Sequence, residues 1–207
     1  MPTKFDLTRT IVVGTSGAGK TTFARQLAVR LGQPCIELDA LYWAADWQPK
    51  PADEFIRLVD EAVAQPSWVV DGNYTAIRDR LWLRATTVIW LNYPLRIVLW
   101  RAFIRSLRRY LTQEPLWHGN RESLRRILSK DSILVWVVTT YHRRQRQMAA
   151  LRVGCSHPHL EWLEFRHPQH AARWLQHGAK VARLRQDSAN HRSGHACTTG
   201  TKQTSTD

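Results

Sequence analysis

Ile11-Val12-Val13-Gly14-Thr15-Ser16-Gly17-Ala18-Gly19-Lys20-Thr21-Thr22 is the stretch on which the fold turns. Three β-branched aliphatics, which favour a strand, run straight into a loop holding three glycines. Glycine permits the backbone to curl so that successive N–H groups converge on one anion. From Lys20 onward Phe23, Leu27 and Leu31 recur every four residues, which predicts a helix over Lys20–Leu31 with Gly32 as its left-handed C-terminal cap. Strand, glycine loop and helix in this order form a Walker A phosphate loop, Gly14 to Thr21. In such a loop the lysine, here Lys20, reaches the β- and γ-phosphates, and the hydroxyl after it, here Thr21, ligates magnesium. The expected ATP-binding set is therefore Gly14, Thr15, Ser16, Gly17, Ala18, Gly19, Lys20, Thr21 and Thr22. A chance glycine turn before a helix is the competing reading, and the strand–loop–helix context argues against it.

Short apolar runs alternate with helical patterns outward from this stretch, which is the signature of β-α-β units and a parallel sheet. Cys35–Leu38 reads as a second strand ending at Asp39, and residues 52–64 as a helix with Phe55, Val59, Ala62 and Val63 on its inner face. Trp68-Val69-Val70 reads as a third strand closed by the turn Asp71-Gly72, and Thr87–Leu91 as a fourth, ended by Pro94. A basic helix is expected from Pro94 to Tyr110, then a loop over Gln113–Asn120. Two further basic helices follow over Glu122–Ser129 and Ser132–Arg146. Leu160–Phe165 supplies a fifth strand and Gln169–His177 a last helix. From Gln186 the chain has no large apolar residue, and disorder is expected over 186–207.

Several side chains carry chemistry. Asp71 ends an apolar strand, where a Walker B aspartate holds magnesium, although Asp-Gly-Asn also suits a simple Asx turn. Asp39 sits at the C-terminal end of a strand of a parallel sheet, where ligands bind. A carboxylate there can take the proton of a phosphate-accepting hydroxyl or hold a water on magnesium, or it can merely cap the turn into Leu41-Tyr42-Trp43. Arg101 with Arg105, and Arg121 with Arg125, are each one turn apart and share a helix face. Arginines closing over a transferring phosphoryl group stabilise its charge. Arg143, Arg144 and Arg146 crowd another helix end, where they also complement the helix dipole. Tyr42, Trp43, Trp47, Tyr74 and Trp117 cluster at expected loops; they suit packing, with stacking on a base or sugar as the alternative. The catalytic candidates are Lys20, Asp39, Arg101, Arg105, Arg121 and Arg125, and the metal candidates Thr21 and Asp71. Asp39, Tyr42, Trp43, Asp71, Gly72, Asn73 and Tyr74 are the acceptor-binding candidates.

Bulk properties bound the reading. At 207 residues the chain suits one α/β domain, and its 43% hydrophobic content and ten tryptophans fit a globular protein. Cys35, Cys155 and Cys197 are widely spaced and form no CxxC pair, which suits a reducing cytoplasm and no disulfide framework or zinc site. The longest late apolar run, Ile133–Val138, falls far short of the roughly 20 residues that span a bilayer, so no membrane partner is expected. The formal charge of +13 is concentrated. Pro94–Arg152 holds thirteen Lys/Arg against Glu114, Glu122 and Asp131, whereas Glu37–Asp79 holds nine acids against Lys50, Arg57 and Arg78. The basic stretch suits nucleotide phosphates, or those of a polynucleotide. No helix-turn-helix, zinc-finger or RNP motif supports the second.

Together these elements resemble the adenylate-kinase-like small-molecule kinases of the P-loop class. Within them the chain is similar to a bacterial subgroup known as DNA topology modulation (FlaR-like) proteins. The resemblance is carried by the glycine loop, Leu38-Asp39-Ala40-Leu41-Tyr42-Trp43 and Trp68-Val69-Val70-Asp71-Gly72-Asn73-Tyr74. Trp117-His118-Gly119-Asn120-Arg121-Glu122-Ser123 and Lys130-Asp131-Ser132-Ile133-Leu134 extend it. It implies an α/β, three-layer P-loop NTPase fold with a five-stranded parallel sheet and a mobile, arginine-bearing helical lid within residues 95–150 of a kinase-like domain over 1–185. It also implies transfer of the γ-phosphoryl group of ATP-Mg to a small acceptor, with Arg78 near an acceptor phosphate. Adenylate kinases follow the Asp-Gly turn with Phe-Pro-Arg and a glutamine, whereas this chain has Asn73-Tyr74-Thr75, and Thr21 directly follows the loop lysine. A hydroxyl acceptor served by Asp39, as in the related shikimate and gluconate kinases, therefore stands beside AMP. Two other classes remain open at this level: a nucleic-acid-associated NTPase affecting DNA topology, and a nucleotide switch without catalysis.

Overall fold

The computed structural model describes residues 5–112, 133–154 and 157–177. Five strands, β1 (Arg9–Gly14), β2 (Cys35–Glu37), β3 (Trp68–Asp71), β4 (Thr87–Leu91) and β5 (Glu161–Phe165), form one sheet in the order β2-β3-β1-β4-β5. Every pairing is parallel. The helices are α1 (Lys20–Leu31), α2 (Leu38–Tyr42), α3 (Ala52–Ala62), α4 (Arg78–Arg84), α5 (Leu95–Thr112), α6 (Ile133–Val153) and α7 over 168–177.

The near-continuous apolar strands follow from burial on both sides, as expected when crossover helices cover a parallel sheet. Val12 of β1 packs with Phe23, Leu27, Val98, Tyr141 and Phe165 on one face. Its neighbours Ile11 and Val13 pack with Phe55, Val59, Leu81 and Trp82 on the other. The result is the expected three-layer α/β sandwich, helices on a five-stranded parallel sheet.

The elements depart from expectation where local signals are short. β2 stops at Glu37, not Leu38, because its ladder with β3 ends at the Glu37–Asp71 pair. Leu38–Tyr42 then turns helical, so Asp39 lies in the first turn of α2, where a carboxylate meets the positive end of the helix. α4 was not expected; its seven residues are too few to show a period, yet they bury Leu81 and Trp82. α3 ends at Ala62 rather than at residue 64. α6 runs seven residues past Arg146, through the helix formers Met148, Ala149, Ala150 and Leu151, and seats Met148 in the core. The expected loop Gln113–Asn120, the helix Glu122–Ser129 and the tail from Gln186 lie outside the described residues.

Candidate functional site

The strand order reverses at β1, which has β3 on one side and β4 on the other. Ligands of open parallel sheets bind beyond the carboxyl ends of the strands at such a point, and here the glycine loop emerges there. Gly17 cannot be replaced without movement. Its φ is +89°, and a Cβ would lie 2.5 Å from the Val98 carbonyl oxygen and 3.0 Å from the Ala102 Cβ. The loop is thus pressed against α5. The α1 N-terminus has Gly19 as its cap, no side-chain cap bond and no acid in its first turn, so its amide groups and dipole are left to an incoming anion.

Two carboxylates flank the loop. The Thr21 hydroxyl donates to Asp71 Oδ2 at 2.5 Å, joining the first turn of α1 to the end of β3. Asp71 is 6% exposed, and its Oδ1 is buried without a hydrogen-bond partner. Burial pushes this carboxyl above its ordinary value, outweighing the Lys20 ammonium and the Thr21 hydroxyl, while Asp39 and Glu37 add repulsion. A buried carboxylate oxygen lacking a partner beside a hydroxyl is the donor set of a hard, oxygen-seeking cation, so Thr21 and Asp71 fit magnesium. Among the described residues, no cluster of three or more His, Cys, Asp or Glu makes a rival metal site.

Asp39 accepts a hydrogen bond from the Tyr74 hydroxyl at 2.6 Å. β3 and α2 are drawn together by Gly72, whose missing Cβ would lie 2.9 Å from the Leu38 side chain. The aromatics of this corner pack on one another. Tyr42 meets Trp43 and Tyr74 at 4.8 Å and Phe55 at 5.2 Å, and Trp43 meets Trp47 at 5.8 Å. Tyr42, Trp43, Trp47 and Tyr74 thus pack on one another while staying partly exposed, and Trp117 lies outside the described residues.

Arginines approach from two sides. Arg101 of α5 donates from Nη1 to the Ala18 carbonyl of the glycine loop at 3.2 Å and lies 5.9 Å from the Tyr93 ring centroid. With Trp100, Ile104, Arg105 and Arg108 it lines a shallow groove of about 310 Å³. Arg78, 8% exposed, donates from Nη2 to Thr75 Oγ1 at 3.2 Å and has its Nε buried without a partner. Burial lowers its pKa.

Arg144, on α6, belongs to the basic trio noted in the sequence but not to the residues expected in the site. It lies 4.2 Å over the Trp136 ring and lines a narrow cleft with Gly14, Thr15, Asn73, Asn92 and Met148. Burial, followed by repulsion from Arg143 and Arg78, lowers its pKa. Asn92 was also missed. It follows the last residue of β4, the same kind of position that flagged Asp71. It donates to Glu164 Oε1 at 2.7 Å and accepts from Gln145 Nε2 at 3.1 Å, tying α6 to the sheet. Arg121 and Arg125 lie outside the described residues. Among those described, no helix is long and apolar enough to cross a membrane.

No family model matches the chain. A curated relative, the shikimate kinase of Thermosynechococcus vestitus, is 32% identical over 121 residues, covering 51% of this chain. The chain spans 65% of that relative's length. Among solved structures, a shikimate kinase from Bacteroides thetaiotaomicron is 14% identical with a TM-score of 0.49, covering 88% of this chain and 98% of that one. A gluconokinase from Sinorhizobium meliloti 1021 is 18% identical with a TM-score of 0.48, over 91% of this chain and 98% of that one.

Proposed function

We propose that the chain is a P-loop small-molecule kinase that moves the γ-phosphoryl group of ATP to a hydroxyl of a small, anionic acceptor. The observation that carries this reading is the pair of carboxylates beside the glycine loop. Asp71 has one oxygen held by Thr21 and the other buried without a partner, and Asp39 has one oxygen held by Tyr74. The 32% identity to a shikimate kinase supports the same chemistry.

The backbone amides of Gly14 to Thr21 surround the polyphosphate, and Lys20 brings a positive charge to the β- and γ-phosphates. Held by Thr21 and Asp71, magnesium would supply Lewis-acid stabilisation of the phosphate oxygens. Asp39 takes the proton of the acceptor hydroxyl as its oxygen bonds to the γ-phosphorus. The bond from that phosphorus to the β–γ bridging oxygen breaks, and ADP leaves with the electron pair. Arg101, bonded to the glycine loop, neutralises charge on the transferring group, and Arg105, one turn along α5 in the same groove, is proposed to assist it. Arg121 and Arg125 are proposed to join them. Arg78 and Arg144, two guanidinium groups that repel each other, hold the anionic group of the acceptor, a carboxylate or a phosphate. Asn73 lines the same cleft as Arg144.

Labelled ATP with magnesium, offered shikimate, gluconate and nucleoside monophosphates, tests this reading, with Lys20→Ala as control. A phosphorylated small product that disappears in the control is expected. ATP consumption stimulated by DNA, with no such product, overturns it. The nucleic-acid reading has charge alone in its favour. A cytoplasmic site of action goes with the kinase reading, since ATP is the substrate.

A further inference from the structure

We propose that Tyr74 is a positioning residue that fixes which oxygen of Asp39 meets the acceptor hydroxyl; this rests on the kinase reading above. The Tyr74 hydroxyl donates to Asp39 Oδ1 at 2.6 Å. Its ring cannot swing away easily, because Tyr42 at 4.8 Å and Phe55 at 5.2 Å flank it. Burial, followed by the charge of Asp39, raises the phenol's pKa, so it stays a donor throughout the working range. An ionised carboxylate has two acceptor oxygens of equal basicity and rotates freely about its last bond. A fixed donor on Oδ1 removes that freedom and presents Oδ2, for which no protein partner occurs among the described residues.

The carboxylate beside it is built the same way. Thr21 holds Oδ2 of Asp71 and leaves the buried Oδ1 without a partner. Two adjacent acids would otherwise compete for the same metal and the same hydroxyl. One hydroxyl donor on each assigns them different work: Asp71 faces the cation, and Asp39 faces the proton to be removed. The two donors sit on opposite elements, Thr21 on α1 and Tyr74 just beyond β3. The division of labour therefore depends on the strand ends of β2 and β3 lying side by side, as the Glu37–Asp71 pair requires.

The test is a double-variant cycle with Tyr74→Phe, Asp39→Asn and the two combined. Transfer is read with the acceptor found in the screen, and with water as acceptor through magnesium-dependent ATP hydrolysis. Tyr74→Phe keeps the ring and removes the donor. A hydrogen bond to a charged group is worth roughly tenfold to a hundredfold, and kcat is expected to fall by that much while the KM for ATP holds. In the Asp39→Asn background the same change is expected to do nothing further. A role confined to packing predicts instead that Tyr74→Phe lowers both backgrounds equally, or neither, and either result overturns the proposal. A second readout needs no turnover: in protein labelled at tyrosine Cζ, Asp39→Asn should move the Tyr74 carbon resonance and leave those of Tyr93 and Tyr141 in place. An unmoved Tyr74 signal overturns the contact itself. Failure of the kinase reading shows differently, as ATP turnover indifferent to Lys20→Ala.

Discussion

Replacing Asp71 by Asn should make the nucleotide-free protein more stable and its nucleotide complex weaker. Asp71 is 6% exposed, its Oδ1 is buried without a partner, and burial outweighs the Lys20 and Thr21 attractions. An unsatisfied buried polar group costs about 1–3 kcal/mol, and a charge costs more. Asn has the same shape, retains a partner for the Thr21 hydroxyl and removes the charge. Against this, Lys20 loses a favourable neighbour; it is half-buried, and that loss is at most about 1 kcal/mol. A net gain of about 1 kcal/mol at pH 7 corresponds to a rise in Tm of about 2–4 °C for a chain of this size. With magnesium and ATP the order reverses, because the carboxylate no longer helps to hold the cation. A tenfold loss of affinity removes about 1.4 kcal/mol of ligand-induced stability. Thermal unfolding with and without magnesium and ATP reads both effects. The reasoning fails if the variant melts below the wild type without nucleotide, or if magnesium still raises its ATP affinity as it does in the wild type.

Three further outcomes follow from particular contacts. Arg144→Met keeps bulk over Trp136 but removes the charge lining the cleft proposed for the acceptor, so the acceptor KM should rise at least roughly tenfold while ATP affinity by calorimetry stays level. Gly17→Ala forces a Cβ against the Val98 carbonyl at a φ of +89° and should destabilise by about 1–3 kcal/mol, read as a lower midpoint in urea. Glu164 accepts bonds from Asn92, Arg152 and Arg166; although burial pushes its carboxyl up, these donors hold it below the ordinary 4.5. The stability it contributes is present above pH 4.5 and lost as pH falls through the lower folded value. Acid titration of Glu164→Gln should therefore show a flatter loss below pH 4.5 than the wild type, from a pH 7 stability lower by about 1 kcal/mol.

The glycine loop, α1 and all five strands were legible because their signals are local. β-branched runs, a four-residue period and glycines at fixed offsets act within a few residues, and Lys20–Leu31 emerged with the expected bounds. Asp71 was legible for a related reason: a carboxylate ending an apolar strand is conspicuous in a parallel sheet. Asn92 occupies the matching place after β4 but carries no charge to draw attention, and Arg144 is one arginine among several on a basic helix. What selects them is α6 crossing the carboxyl end of the sheet, where Gln145 meets Asn92 and Arg144 meets the cleft. That crossing pairs residues more than fifty positions apart.

Sequence by itself determined the glycine loop, since its backbone shape is set by neighbouring residues. Tertiary structure alone decided the rest of the site. The bond between Thr21 and Asp71 spans fifty positions and that between Tyr74 and Asp39 thirty-five, and neither has any local signature. Both exist because parallel pairing of β2, β3 and β1 brings distant strand ends to one edge, where burial turns ordinary carboxylates into groups in need of a partner.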